Sequence, residues 1–245
     1  MRIPRPGLYT AHLHCVEPAT VTDPDLLAGY AALMTDEERA TEARFHFEKH
    51  RHLYRVTRAL ARTVLGAYLG VPPESLRFQA NRWGRPEIAH LPPTGLSWNL
   101  AHTDGLVVLL VAEGCTAGVD VEDVVHRRAP LAVAEDQFAP AEVASLRALP
   151  PPAQPRRFFE YWTLKESYIK ARGMGLAIPL REFAFDPTAE QGPSIAFDGI
   201  DDDPADWQFV FASPTPFHLV AAAFQRGRGP DRALSIRRTV PLRPA

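Results

Sequence analysis

The hydrophobic positions along the first part of the chain follow two different periods. Alternating apolar and polar residues over 8–16 predict a strand with one buried face. An acidic turn after Thr35 precedes apolar residues at helical spacing, which predicts one or two helices that end at Gly70. Shorter apolar segments that begin at Leu76 and Leu96 predict strands on either side of a turn-rich segment.

A similar order of elements follows in the second part. Two apolar runs at 106–112 and 118–121, joined by Glu113-Gly-Cys-Thr, predict a hairpin. Residues 124–155 contain several prolines and predict two helices with a loop between them. Residues 156–172 predict a helix that stops at Gly173. Three segments with strand-like patterns come after it, at 183–185, 207–211 and 217–224.

The order strand, helix, strands therefore occurs twice. Because the strands come as neighbours instead of alternating with helices, we expect an α+β fold and not one open parallel sheet. Two similar α/β halves fit the length of 245 residues. The predicted halves are residues 1–117 and 118–245.

Composition narrows the class of protein. The chain is 46% hydrophobic and 23% charged, which is typical of a globular protein that buries a core. A net charge of −2 indicates neither nucleic acid nor an anionic membrane as a partner. No apolar run approaches the ~20 residues of a membrane span, and the start lacks the pattern of a signal peptide. With Cys15 and Cys115 expected as buried free thiols, we predict a cytoplasmic protein.

Two carboxylates stand at alternate positions in Gly118-Val-Asp-Val-Glu. On a strand, Asp120 and Glu122 project from one face, and Val119 and Val121 project from the other. Hard oxygen ligands of this kind suit Mg²⁺, which takes one or two carboxylates together with substrate phosphate oxygens. The alternative is an exposed strand end that binds nothing.

Lysine is rare in this chain. Lys49, Lys165 and Lys170 are the only lysines among 27 Lys and Arg residues, and two of them flank Glu166. Trp162, Glu166 and Lys170 share one face of the predicted helix. Lysine is a compact charge with an adaptable pKa, so it suits a proton donor or a clamp on phosphate better than arginine does. The alternative is a surface ladder of ion pairs, worth roughly 0.2–0.5 kcal/mol per pair.

Two further candidates precede the carboxylates. His102, in Trp98-Asn-Leu-Ala-His, is placed to present a ring nitrogen to an anion, and the alternative is a structural histidine. Arg85 lies in a tight turn, Trp83-Gly-Arg-Pro, which alone indicates no function.

The sequence resembles the 4′-phosphopantetheinyl transferases of the Sfp type in four motifs. In chain order they are Gly84-Arg-Pro, Asn99-Leu-Ala-His, Gly118-Val-Asp-Val-Glu and the segment 162–173. The last two motifs are specific. The resemblance spans residues 44–186, and the chain length is similar to that of the monomeric members. It implies a pseudo-two-fold pair of halves, each a small, mostly antiparallel sheet packed by a long helix, with the active site in the cleft between them.

The resemblance also implies roles for the charged residues of the two specific motifs. Asp120, Glu122 and Glu166 match the carboxylates that bind Mg²⁺, for which Mn²⁺ is a possible substitute. Lys165 and Lys170 match the lysines at the pyrophosphate. Glu166, Lys170 and Lys165 are therefore the expected catalytic residues, and the two lysines also bind the cofactor.

Other residues are expected at coenzyme A. His102 matches a histidine that contacts a phosphate, and Arg85 and Pro86 match a turn that borders the adenine. The family usually has lysine in place of Arg85, an exchange that we expect to preserve phosphate binding.

The family also carries basic residues on its first long helix, for the 3′-phosphate of coenzyme A. Arg51 and Arg58 are the candidates in this sequence. Thr41 and Glu38 stand where some members have lysines.

The implied reaction transfers 4′-phosphopantetheine from coenzyme A to a serine of an apo acyl, peptidyl or aryl carrier protein, and it releases 3′,5′-ADP. A monomer is expected, with no nucleic acid or membrane partner. Two alternatives remain open. One is a Mg²⁺-dependent nucleotide phosphohydrolase, and the other is a non-catalytic module that binds coenzyme A or docks a carrier.

Overall fold

The computed structural model of the chain describes residues 3–89 and 94–243. Its helices are α1 Pro24–Leu33, α2 Asp36–Ala43, α3 Glu48–Leu69, α4 Leu131–Gln137, α5 Pro140–Ala148 and α6 Gln154–Arg172. Its strands are β1 Thr10–Val16, β2 Phe78–Ala80, β3 Pro86–Ile88, β4 Leu96–Thr103, β5 Leu106–Glu113, β6 Thr116–Asp123, β7 Phe183–Asp186, β8 Ser194–Phe197, β9 Trp207–Ala212, β10 His218–Gln225 and β11 Ala233–Arg238.

Each of the two long helices ends at a glycine. Gly70 after α3 and Gly173 after α6 both adopt left-handed backbone, with φ of 70° and 66°. A residue with a Cβ is strained in that conformation, so glycine is the usual residue just past a helix. Both predicted helix ends are confirmed.

The same topology appears twice, which confirms the pseudo-two-fold α+β fold. In the first half the sheet order is β1-β5-β4, with α3 and the small hairpin β2-β3 inserted after β1. In the second half the order is β6-β10-β9, with α6 and the hairpin β7-β8 inserted after β6. The last strand, β11, crosses back and pairs in parallel with β1.

The predicted hairpin between 106–112 and 118–121 is wrong. Strand β5 pairs with β1 on one side and β4 on the other, so both of its edges are occupied. Strand β6 instead starts the second sheet and pairs with β10. The short linker after β5 is therefore the passage from one sheet to the other.

The two sheets meet at β4 and β6 through side chains. The amide oxygen of Asn99 accepts a hydrogen bond from the Val119 backbone N–H at 2.9 Å, and the Ser97 hydroxyl accepts one from Ala117 at 3.0 Å. On their shared inner face the sheets pack one apolar cluster, to which Leu13, Val119 and Phe224 belong. Helix α3 covers the outer face of the first sheet, and α6 covers that of the second.

The expectation that β1 exposes one face is wrong. Its odd positions pack into the inner cluster, while His12 and His14 face α3 and are only 6% and 3% exposed. The Tyr68 hydroxyl lies between their rings, 2.6 Å from His12 Nδ1 and 2.8 Å from His14 Nε2. Arg237 of β11 lies 2.9 Å from the other nitrogen of His12. The polar residues at alternate positions of β1 therefore form a buried hydrogen-bond network and do not mark an exposed face.

Both cysteines are free thiols. Cys15 is buried as expected, whereas Cys115 is only half-buried. Among the described residues, no helix is long and apolar enough to cross a membrane.

Candidate active site

The site forms where α6 lies across β6. Gly118 makes this approach possible, since a Cβ at that position would lie 2.2 Å from the Ser167 carbonyl oxygen and 2.3 Å from the Ala171 nitrogen. Asp120 and Glu122 follow on the same face of β6 and so lie under α6. The close packing brings them to the helix face that carries Glu166 and Lys170.

Asp120 and Glu122 are buried, 7% and 5% exposed, so the alternative of an exposed strand end is excluded. Lys170 Nζ lies 2.5 Å from one oxygen of Asp120, and the Arg127 guanidinium pairs with Glu122. The second carboxylate oxygen of Asp120 is buried and has no hydrogen-bond partner.

The charged groups at the site shift one another's pKa values. Burial, with the negative charges of Asp120 and Glu122 acting against the positive charge of Lys170, raises the pKa of Glu166 to about 7. Burial opposes the charge of Lys170, but the adjacent carboxylates, foremost Asp120, hold its pKa above the ordinary value. Burial also raises the pKa of Glu122, although Arg127 works in the other direction. The structure therefore gathers three carboxylates and one lysine within mutual electrostatic range.

His102 and Arg58, which belong to the first half, lie within electrostatic range of this cluster. His102 is exposed at the outer end of β4, where partial burial and then the charges of Lys170 and Arg58 lower its pKa while Asp120 raises it. The Arg58 guanidinium stacks against the ring of Tyr54 at 5.4 Å. Its buried Nε has no hydrogen-bond partner, and a terminal nitrogen of the same guanidinium lies 3.7 Å from a carboxylate oxygen of Glu38.

A cavity of about 240 Å³ opens between the two halves beside Glu166 and Lys170. Pro86 and the exposed Trp83 line it from the first half, and Glu166 and Lys170 line it from α6. A larger open groove of about 680 Å³ shares Arg85 and Pro86 but continues along β4, away from the carboxylates.

The structure corrects the role expected for Lys165. Its side chain is fully buried on the opposite side of α6, 2.8 Å from Glu142 and 2.7 Å from the carbonyl oxygens of Leu180 and Phe183. A lysine held by three oxygens in the core of the second half does not reach a substrate in the cleft. The alternative of a surface ladder of ion pairs is also wrong for this residue, because its side chain is buried.

The guanidinium of Arg85 also differs from expectation. It points into the protein and donates to backbone carbonyls of Lys170, Ala171 and Trp98 at 3.2, 2.9 and 3.3 Å. A further contact reaches the Ala117 carbonyl at 3.5 Å. With these donors engaged, the expected phosphate contact from Arg85 does not follow from the structure.

Arg51 lies apart from the cluster. Its Nε donates to the Phe45 carbonyl at 2.8 Å, and its guanidinium lies 3.5 Å from the exposed Glu48. Seven residues separate it from Arg58, which is about 10 Å along a helix. Of the two arginines expected at the 3′-phosphate, the structure brings only Arg58 to the other candidates.

The sequence did not predict the roles of three residues that contact the candidate site residues or position them. Glu142 and Arg127 are partners of Lys165 and Glu122, and no local pattern indicates either pairing. Gly118 carried a signal, because a glycine inside a strand often marks a place where another backbone comes close.

Comparison with known proteins identifies the family of this chain. Two family models match, "4′-phosphopantetheinyl transferase superfamily" over residues 116–222 and "4′-phosphopantetheinyl transferase, N-terminal" over residues 22–114. The 4′-phosphopantetheinyl transferase HetI of Nostoc is 35% identical over 66% of this chain and 69% of its own length. The chain therefore belongs to the 4′-phosphopantetheinyl transferase superfamily, and the resemblance found in the sequence is confirmed.

Other matches vary in extent. The 4′-phosphopantetheinyl transferase Sfp of Bacillus subtilis is 27% identical over 63% of this chain and 67% of its own length. The holo-[acyl-carrier-protein] synthase of Thermotoga maritima, a solved structure, covers 46% of this chain and 65% of its own, with 18% identity and a TM-score of 0.38.

Proposed function

We propose that this chain transfers the 4′-phosphopantetheine group of coenzyme A to a serine hydroxyl of an apo acyl, peptidyl or aryl carrier protein and releases 3′,5′-ADP. The observation that carries the proposal is the meeting of Asp120, Glu122, Glu166 and Lys170 in one cluster, of which Glu166 and Lys170 line a cavity between the two halves. Family membership supports the same reaction.

A divalent metal ion, Mg²⁺ or Mn²⁺, is part of the proposal. Within residues 3–89 and 94–243 the side chains do not already form a metal-binding group of three or more His, Cys, Asp or Glu. The donor chemistry nevertheless fits. Asp120 has a buried oxygen without a partner, and Glu122 and Glu166 add two carboxylates whose pKa values are raised, first by burial and then by nearby negative charge. When bound, Mg²⁺ supplies positive charge to the pyrophosphate oxygens.

The chain's own residues account for the rest of the chemistry. The serine oxygen attacks the β-phosphorus of coenzyme A, and the bond from that phosphorus to the oxygen of the departing 3′,5′-ADP breaks. Glu166 has a pKa near neutrality, which suits a base that accepts the serine proton directly or through water. Alternatively, it acts only as a metal ligand. Lys170 stands ready to stabilise or protonate the leaving phosphate.

The first half holds the nucleotide in this proposal. Pro86 borders the adenine side of the cavity, His102 contacts a phosphate, and Arg58, whose charge reaches His102, is the candidate for the 3′-phosphate. The protein acts as a monomer in the cytoplasm, with coenzyme A and the carrier as its partners.

The direct test is the intact mass of candidate apo-carriers after incubation with this protein, coenzyme A and Mg²⁺. We expect the carrier to gain phosphopantetheine and 3′,5′-ADP to appear. Free phosphopantetheine without a modified carrier would indicate a phosphohydrolase, and binding without nucleotide release would indicate a non-catalytic module.

The matched variants are Asp120→Ala at the site and Asp25→Ala on the exposed surface of α1. We expect Asp120→Ala to lower transfer at least about 100-fold, because it removes a hard ligand and the partner of Lys170. Circular dichroism should show an intact fold for both. Transfer by Asp120→Ala at the wild-type rate under limiting Mg²⁺ would refute the site.

A further inference from the structure

The hairpin β2-β3 reaches across the cleft to the end of α6. Its turn is shaped by Asn81, whose side-chain oxygen accepts hydrogen bonds from the backbone N–H groups of Trp83 and Arg85 at 2.8 and 3.0 Å. Gly84 closes the turn with a φ of 88°, which favours glycine. The turn therefore presents Asn81 and Arg85 side by side to the second half of the molecule.

Together these two residues cap α6. The last carbonyl groups of a helix lack partners within the helix and must find them elsewhere. Arg85 donates to those of Lys170 and Ala171, and the Asn81 amide donates to that of Gly173 at 3.2 Å. A positive charge at a helix C-terminus also matches the helix dipole. The Gly173 N–H also donates to the Lys170 carbonyl, at 3.2 Å, so the end of α6 is satisfied by its own cap together with the other half of the molecule.

The second arm of the Arg85 guanidinium lies on the junction of the two sheets. It contacts the carbonyl oxygens of Trp98 in β4 and Ala117 in β6. One planar side chain therefore holds three parts at once: the hairpin, the sheet junction and the last turn of α6. Arginine suits this geometry because its donors form a rigid fork, whereas a lysine ammonium acts as a single point.

We propose that Arg85 is a positioning residue, which fixes Lys170 against Asp120 and against the nucleotide side of the cleft by holding the Lys170 carbonyl. This inference rests on the proposed function, since it assumes that Lys170 takes part in transfer. A misplacement of about 1 Å is enough to cost up to about 100-fold in rate, and the last turn of a helix readily frays without its cap.

The kinetic test compares Arg85→Met with Arg82→Met. Arg82 is the matched control, because it lies on the same turn but is exposed and stacks on Trp83. We expect Arg85→Met to lower kcat at least about tenfold with a change of less than about threefold in KM for coenzyme A. Arg82→Met should leave kcat near the wild-type value. A raised KM with unchanged kcat in Arg85→Met would make Arg85 a direct ligand and overturn the proposal.

A spectroscopic test works without any activity. The chain has only three lysines, so ¹³C-labelled lysine gives three side-chain signals that substitution assigns one by one. We expect Arg85→Met to shift the Lys170 signal while those of Lys49 and Lys165 stay in place. An unmoved Lys170 signal would overturn the proposal even if transfer is observed. If the wild type transfers nothing, a shifted signal still supports the positioning, so the two failures are distinguishable.

Two further variants cover the case in which Arg85→Met does not fold. Arg85→Lys keeps the charge but cannot span the same carbonyls, and Asn81→Ala removes the neighbouring cap. We expect both to shift the Lys170 signal and lower kcat, each by less than Arg85→Met where that variant folds. Wild-type kcat and an unshifted signal in both would refute the proposal.

Discussion

Lys165 and Lys170 lie five positions apart on α6, and their surroundings separate them completely. Lys165 has no exposed side-chain surface and pairs with Glu142, which is 1% exposed. Lys170 is 29% exposed and pairs with Asp120 at the cleft. One residue supports the core and the other faces the cleft between the two halves.

Matched substitutions should separate the two roles. Lys165→Met leaves Glu142 buried without its cation, so we expect the free energy of unfolding to fall by about 3 kcal/mol. Lys170→Met should lower it by less, because Lys170 is partly exposed to water, while reducing kcat far more than coenzyme A binding. Urea denaturation, transfer kinetics and calorimetric binding measure these effects.

The opposite result has a clear meaning. A stable Lys165→Met protein without turnover would restore the catalytic role that the sequence motif implies. In a second check, Glu142→Gln combined with Lys165→Met should be more stable than Lys165→Met alone, because no buried charge is left unpaired.

The sequence predicted the residues whose proximity depends on local geometry. Alternation on a strand placed Asp120 beside Glu122, and helical spacing placed Glu166 beside Lys170. It could not predict the partners of Lys165 or Arg85, because Glu142 and the α6 carbonyls come from distant parts of the chain. The resemblance placed Lys165 and Arg85 at coenzyme A, whereas the structure places both side chains against protein oxygens.

Among the elements, the contact of α6 with β6 decides the geometry of the site. Gly118→Ala adds a Cβ against the helix backbone, which cannot rotate away as a side chain can. We expect a loss of about 2 kcal/mol or more in unfolding free energy, together with lower kcat as α6 moves off the carboxylates.

Gly7→Ala is the matched control, because its Cβ would meet only Thr10 Oγ1, at 3.6 Å. Urea denaturation and steady-state transfer rates compare the two variants. If Gly118→Ala matched Gly7→Ala in both measurements, the close approach would not be what places the site.

Element boundaries followed from the sequence more easily than strand partners did. Helix ends carry local signals such as Gly70 and Gly173. Pairing carries none here, since the linker after β5 resembles a hairpin turn but both edges of β5 are already taken. Only the complete order of strands shows where β6 must go.

At the scale of the whole molecule, the buried histidines link pH to stability. Burial, and then the charge of Arg237, lower the pKa of His12 to about 4 and that of His14 to about 3, from an ordinary 6.5. Below pH 6.5 the unfolded chain binds protons that the folded chain excludes. Stability is therefore complete above pH 6.5 and is lost as the pH falls toward the folded pKa values.

We expect the unfolding free energy to drop by roughly 1.5 kcal/mol per histidine between pH 6.5 and 5. A variant with His12→Gln and His14→Gln should start less stable at pH 8 but lose less on acidification. Urea denaturation at several pH values tests this. Parallel curves for the two proteins would show that the network does not titrate with unfolding.

The parallel pairing of β11 with β1 has a consequence for how the chain is made. The ribosome completes β1 early, but its open edge receives β11 only after all the other strands of both sheets have been synthesised. Until then the first sheet is incomplete, and His12 lacks its contact with Arg237. A strand translated after the rest of both sheets completes the first half, so a chain that stops short of it leaves an exposed edge for quality control to recognise.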